Sequence, residues 1–185
     1  MNSYYSYSYD RMQWRYPMPA YWPPQQDWRY WQPYAGGIIQ YTRNDENPLV
    51  ELKDYGGQPF VVNIEQAAKR NPNYRTAIWT GKHLQVTLMS IDVGGDIGLE
   101  VHPDVDQFIR IEQGQGLVQM GGRKDRLEFE RNVSEDDAIM IPAGTWHNVI
   151  NTGHVPLKLY SIYAPPEHPF GTVHRTKAEA MAVHR

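Results

Sequence analysis

GDIGLEVHPDVDQFIRIEQGQG, residues 95–116, is the stretch that decides the fold of this chain. Glu100 and His102 are two residues apart, so on an extended strand their side chains point to the same side. A short acidic turn over residues 103–106 follows, and Gln107 then heads the β-prone run FIRI. Gly114 and Gly116 supply the next turn. Far downstream, residues 141–151 read IPAGTWHNVIN, in which Pro142 and Gly144 make a tight turn and His147 opens another strand. Four side chains able to bind a metal, on three strands separated by turns, suggest one site assembled inside a barrel.

The first stretch resembles the first cupin motif, in which a glycine is followed by His-x-His, a glutamate and a second glycine. The second resembles the other cupin motif, Pro-x-Gly-x-x-His-x-x-x-Asn, through Pro142, Gly144, His147 and Asn151. Gln107 stands five residues past His102, where the family has its glutamate, and Gly114 falls seven further on. The sequence departs from the pattern in three places. Glu100 occupies the first histidine position, Gln107 replaces the glutamate, and Asp136 takes the opening glycine of the second motif. The resemblance covers residues 50–166 and implies an all-β, jelly-roll-like cupin barrel. It does not specify a reaction, because one fold hosts many chemistries.

At family spacing, Glu100, His102, Gln107 and His147 form a set of two imidazoles, one carboxylate and one amide oxygen. Such a mixed N/O set suits a divalent first-row ion, manganese or iron first, with zinc, nickel or cobalt as alternatives. The carboxylate has moved relative to the family pattern, yet the charge of the ligand set is retained. Four protein ligands leave one or two positions open for water or substrate.

Length and composition bound the rest. A chain of 185 residues suits one ordinary domain with appendages. A formal charge of −3 and the lack of a Lys/Arg block argue against a nucleic-acid surface. With no cysteine, disulfides, thiolate catalysis and Cys-based metal sites are excluded. No apolar run approaches a membrane span, and the N-terminus lacks the basic–apolar–small pattern of a secretory signal. A cytoplasmic location is the default expectation.

Residues 1–47 form an aromatic and Pro-rich leader, expected to be extended or poorly ordered, since no helical or strand period survives its proline density. The alternative is an adhesive segment. Its composition is similar to Tyr-rich tails of bacterial spore-coat proteins, which implies a coat location instead. Residues 48–166 are assigned to the barrel and 167–185 to a C-terminal extension. Within the barrel, PFVVNI (residues 59–64) reads as a strand. Asn63 and Gln66 have capping-box spacing for a short helix that should stop near Asn71-Pro72. Residues 75–93 read as two strands broken at Gly81, RKDRLEFERN (residues 123–132) as a charged connection, and PLKLYSIYAPP as the last strand. Thr176 and Glu179 have capping-box spacing for a closing helix. His83, His154, His168, His174 and His184 read as solvent residues.

Strand alternation orients the walls. With Gln107 inward, Ile109 and Ile111 also face in, making a largely apolar inner wall, while Phe108, Arg110 and Glu112 face out. On the last strand Lys158 is expected in solvent, with Leu157, Leu159, Ser161 and Tyr163 inside. Tyr163 is the candidate for a catalytic acid or hydrogen bond beside the ligands, or else an aromatic core filler. Gln119 and Trp146 are placed at the mouth. The outward Phe108 suits a sheet-to-sheet homodimer. Two functions remain open. One is a small-molecule enzyme of isomerase, dioxygenase or decarboxylase type; the other is a non-catalytic coat-associated barrel. The lack of a Lys/Arg group near the motifs weighs against a phosphosugar isomerase.

Overall fold

The strand pattern closes into two antiparallel sheets facing one interior. The structure, a computed structural model, describes residues 50–183. The aromatic leader and His184 lie outside the described residues. In chain order the elements are α1 (Ile64–Arg70), β1 (Arg75–Thr80), β2 (Gln85–Ile91), β3 (Asp106–Gln113), β4 (Gln115–Gly121) and β5 (Phe129–Ser134). They continue with β6 (Ala138–Ile141), β7 (Trp146–Asn151), β8 (Leu157–Ala164), β9 (Val173–His174) and α2 (Lys177–Val183). The large sheet has the order β6-β3-β8-β2-β1-β9 and the small one β5-β4-β7. Among the described residues no helix is long and apolar enough to cross a membrane.

Register makes the barrel a stack of layers with different chemistry. Leu159 on β8 stands opposite Ile111 and Met89, all buried and apolar. Two residues on, Ser161 faces Ile109 and Thr87. Two further on, Tyr163 faces Gln107 and Gln85, a fully polar layer. The inner wall is therefore apolar at one end and polar at the other. The largely apolar wall read from β3 is thus confined to one end, because β3 supplies the isoleucines but not the facing residues. The apolar end is completed by Val118 and Val149 of the small sheet.

The outer face of the large sheet carries its own cluster, in which Ala67 and Ala68 of α1 cover Ile78 and Leu88. A seven-residue helix is too short to persist alone, so this apolar patch is what holds it. Its start is capped as expected, with the Gln66 backbone N–H donating to Asn63 Oδ1 at 3.1 Å. Asn63→Ala is expected to cost about 1 kcal/mol in urea denaturation; an unchanged midpoint would mean that packing alone fixes the helix start.

Five expectations change. PFVVNI forms no strand: Phe60 stacks on Tyr55 at 4.2 Å and Val61 is 93% exposed, with no neighbouring strand among the described residues to pair with. The second half of the charged connection is edge strand β5, which pairs with β4 although Val133 is its one buried residue. Glu112 lies on the outer face, yet α1 and its neighbours leave it only 2% exposed, beside Arg110 Nη1 at 3.0 Å. His168 is buried rather than solvated. Its backbone N–H and carbonyl are both held by the buried Gln85 amide, at 2.9 and 2.8 Å. Lys158 is half-buried on the outer face, donating to the Asn71 carbonyl. Past β8 the chain returns to the barrel, where β9 pairs with β1. At α2, Thr176 Oγ1 accepts from the Glu179 N–H, and Lys177 Nζ pairs with Asp96.

Candidate metal centre

The segment leading to Glu100 is stitched to β7 rather than built into a long strand. The Ile97 N–H donates to the Val149 carbonyl at 3.0 Å, and Glu100 and His147 exchange both backbone hydrogen bonds at 3.0 and 2.9 Å. Directly opposed residues of an antiparallel pair share a face. Glu100 is thereby set beside His147, and His102, two residues on, joins them. The Gly144 N–H, donating to the His102 carbonyl at 2.8 Å, ties the second motif's turn to this segment. Gly144 has φ +77, the left-handed region that favours glycine.

The side chains converge. Glu100 Oε1 lies 3.5 Å from His102 Nε2 and 3.5 Å from His147 Nε2. These separations are too long for good hydrogen bonds. They fit a shared ion, since two donors bound at ~2.1 Å stand at most ~4.2 Å apart. Glu100 Oε1, both Nε2 atoms and Gln107 Oε1 are buried with no hydrogen-bond partner among the described residues. Gln107 donates its amide N–H to Ser161 Oγ at 2.9 Å, which leaves the carbonyl oxygen as its open end. Buried polar atoms without partners are costly, and the three of Glu100, His102 and His147, all within 4.8 Å of one another, are what a bound cation would satisfy. The residues present therefore fit a divalent ion.

The outer nitrogens are held too. His147 Nδ1 lies 2.9 Å from the Thr145 carbonyl, which can only accept, so Nδ1 carries the proton and Nε2 offers its lone pair. His102 Nδ1 lies 3.1 Å from Glu167 Oε1 and is oriented in the same sense. Burial alone would push the Glu100 carboxyl up, but the two imidazoles and the Arg75 charge outweigh it and hold the group well below the usual carboxylate range. Burial pulls His102 down, and Glu100 with Glu167 more than reverses this, so its imidazole titrates above the ordinary value. A metal must displace that proton. Metal affinity is therefore expected to be full above this raised value and to fall as pH drops through it, checked by titrating metal at pH 8 and pH 6. Equal affinity at both would mean that His102 is not a ligand.

Tyr163 is fully buried, its ring edge-on to His102 at 5.6 Å. Burial pushes its hydroxyl up despite nearby Arg75, Ser161 and Thr87, so it stays protonated. It makes no hydrogen bond of normal geometry among the described residues. Gln119 and Trp146 do not line the site. They lie on the outer face of the small sheet, Gln119 donating to Glu130 and Trp146 under Lys124 Nζ, because each alternates with an inward neighbour, Val118 or His147.

Two residues went unread in the sequence. Glu167 lies beyond the last long strand and reaches His102 only through the chain's return. Arg75 opens β1, and RTAIWT gave no sign of which face turns inward. Thr76 bonds Asn71 on the outer side, and Ile78 packs under α1 there, so Arg75 and Ala77 face the interior.

Two sheets closed around a buried Glu-His-His cluster define a cupin, and residues 87–163 match the family described as Cupin domain. The chain belongs to the cupin superfamily. It is 66% identical over 149 residues to the uncharacterized protein YrkC of Bacillus subtilis (strain 168), covering 80% of this chain and 79% of that one. It is 44% identical over 117 residues to the uncharacterized protein L612 of Acanthamoeba polyphaga mimivirus, covering 63% and 71%. Among solved structures it is similar to the crystal structure of BH2720 from Bacillus halodurans, with 69% identity and a TM-score of 0.70, covering 70% of this chain and 98% of that one.

Proposed function

We propose that this cupin is a metal-dependent small-molecule enzyme whose divalent ion, manganese or iron, is held by Glu100, His102, Gln107 and His147. The observation that carries the reading is the convergence of Glu100, His102 and His147, whose ligand atoms lie within 4.8 Å of one another and, like Gln107 Oε1, are buried without hydrogen-bond partners among the described residues. When bound, the ion supplies a Lewis-acid or oxygen-activating centre with open positions for a ligand, chemistry common to isomerase, dioxygenase and decarboxylase types. The chain's own residues do the rest. Glu167 and the Thr145 carbonyl orient the imidazoles, Ser161 turns the Gln107 oxygen inward, and the protonated Tyr163 hydroxyl is placed to donate to a ligand beside His102. Association as a homodimer has support from the apolar row Met140, Phe108 and Ile162 on the outer face, of which Met140 is 65% exposed.

The test is metal analysis of the full chain purified without chelators or a His tag, before and after reconstitution with Mn²⁺ or Fe²⁺. One equivalent of transition metal is expected. Protein that stays metal-free after reconstitution defeats the reading.

A further inference from the structure

We propose that Arg75 is the anion-binding residue of this site and that the molecule it receives is a small monocarboxylate. A buried arginine ordinarily faces a carboxylate. Arg75 is 2% exposed, yet among the described residues it has no ion-pair partner, and its Nε is buried without a hydrogen bond. Its neighbours are the Tyr74 ring, 5.7 Å from the guanidinium carbon, and the Tyr163 hydroxyl, with Glu100 acting at longer range. A guanidinium stays charged in any protein interior. The charge is therefore kept in the core with no direct ion pair, only the longer-range attraction of Glu100, which is unfavourable unless a ligand completes it.

Arg75 lines a cavity of about 220 Å³ together with Tyr74, Glu100, His102 and Glu167. At ~30 Å³ per water this holds about seven waters, the space of a small organic acid. Charge selects the class of anion. Glu100 and Glu167 contribute two negative charges, Arg75 one positive and a divalent ion two, leaving one positive unit for the ligand to cancel. A monocarboxylate does so. A phosphate dianion overshoots and brings its charge close to both glutamates. A planar carboxylate also matches the paired N–H donors of a guanidinium. The inference rests on the proposed metal site for the ion's share of this charge.

The experiment titrates the full chain with sodium acetate, glycolate and pyruvate, and with inorganic phosphate for comparison, by calorimetry. Wild type, Arg75→Gln and Arg75→Lys are used, and the metal content of each sample is measured first. At least one carboxylate is expected to bind wild type more tightly than phosphate does. That affinity should fall about tenfold or more in Arg75→Gln, the scale of a charge-assisted hydrogen bond, with metal content unchanged. Without ligand, Arg75→Gln is expected to melt at or above the wild-type temperature, because it removes an unpaired buried charge; a purely structural arginine would lower it. Arg75→Lys keeps the charge but loses the fork, and is expected to bind more weakly than wild type. Should Arg75→Gln not fold, unchanged carboxylate affinity in Arg75→Lys overturns the proposal. So does equal affinity in wild type and a folded Arg75→Gln, tighter binding of phosphate, or no carboxylate binding to wild type. Wild type that stays metal-free defeats the metal reading and the charge balance built on it; the melting comparison, which needs no metal, then decides the role of Arg75, and a lower melting temperature of Arg75→Gln overturns this proposal.

Discussion

Glu100→Gln is expected to abolish stoichiometric metal binding, with affinity falling by more than about a hundredfold. Partners that merely orient metal ligands are worth 10–100-fold on replacement, and Glu100 is the one charged donor of the four. Glutamine keeps the volume and the backbone pairing with His147 but removes the charge that faces both imidazoles at 3.5 Å. The expected readout is twofold: metal analysis near zero, and loss of the metal-induced rise in melting temperature. At a hundredfold excess over its dissociation constant, a ligand stabilises wild type by about 2.7 kcal/mol; the variant should gain almost none of it. Retention of one equivalent of metal by Glu100→Gln would show that the ion, if bound, uses a different set of donors.

Leu159→Ala is expected to cost about 3 kcal/mol of unfolding free energy, in the range found for buried leucines. Leu159 is fully buried and stands between Met89 and Ile111 in the apolar layer of the barrel, where β8 is hydrogen-bonded on both sides and collapse into the gap is hindered. Urea denaturation measures it. Metal affinity should stay near wild type, because the substitution lies two register layers from Tyr163 and Gln107. A cost below about 1 kcal/mol would mean that the barrel closes over the missing side chain. The two variants separate what holds the barrel from what fills its polar end.

Asp136 shows how far a motif read without coordinates can reach. It stands where the cupin pattern opens its second motif with glycine, and it is the one non-glycine with positive φ among the described residues, at 73°. The left-handed turn is kept although the glycine is not, and the side chain is used instead, accepting from Arg110 Nη2 at 2.6 Å. The departure in sequence is thus not a departure in backbone. PFVVNI is the opposite case: its composition favours a strand, but strands need a partner, and the described residues offer it none. Strand β5 was concealed for the converse reason, since an edge strand with one buried residue carries little hydrophobic period.

By itself the sequence determined the all-β barrel, the two helices and their caps, and the meeting of Glu100, His102 and His147, because spacing within two motifs and the alternation of side chains along strands are local properties. Tertiary structure decided what faces that cluster. Arg75 and Glu167 come from 25 residues before and 67 residues after Glu100, and only strand order and the return of the chain along β1 bring them to it. Alternation says that neighbours point to opposite faces, but closure of the barrel alone says which face is inside.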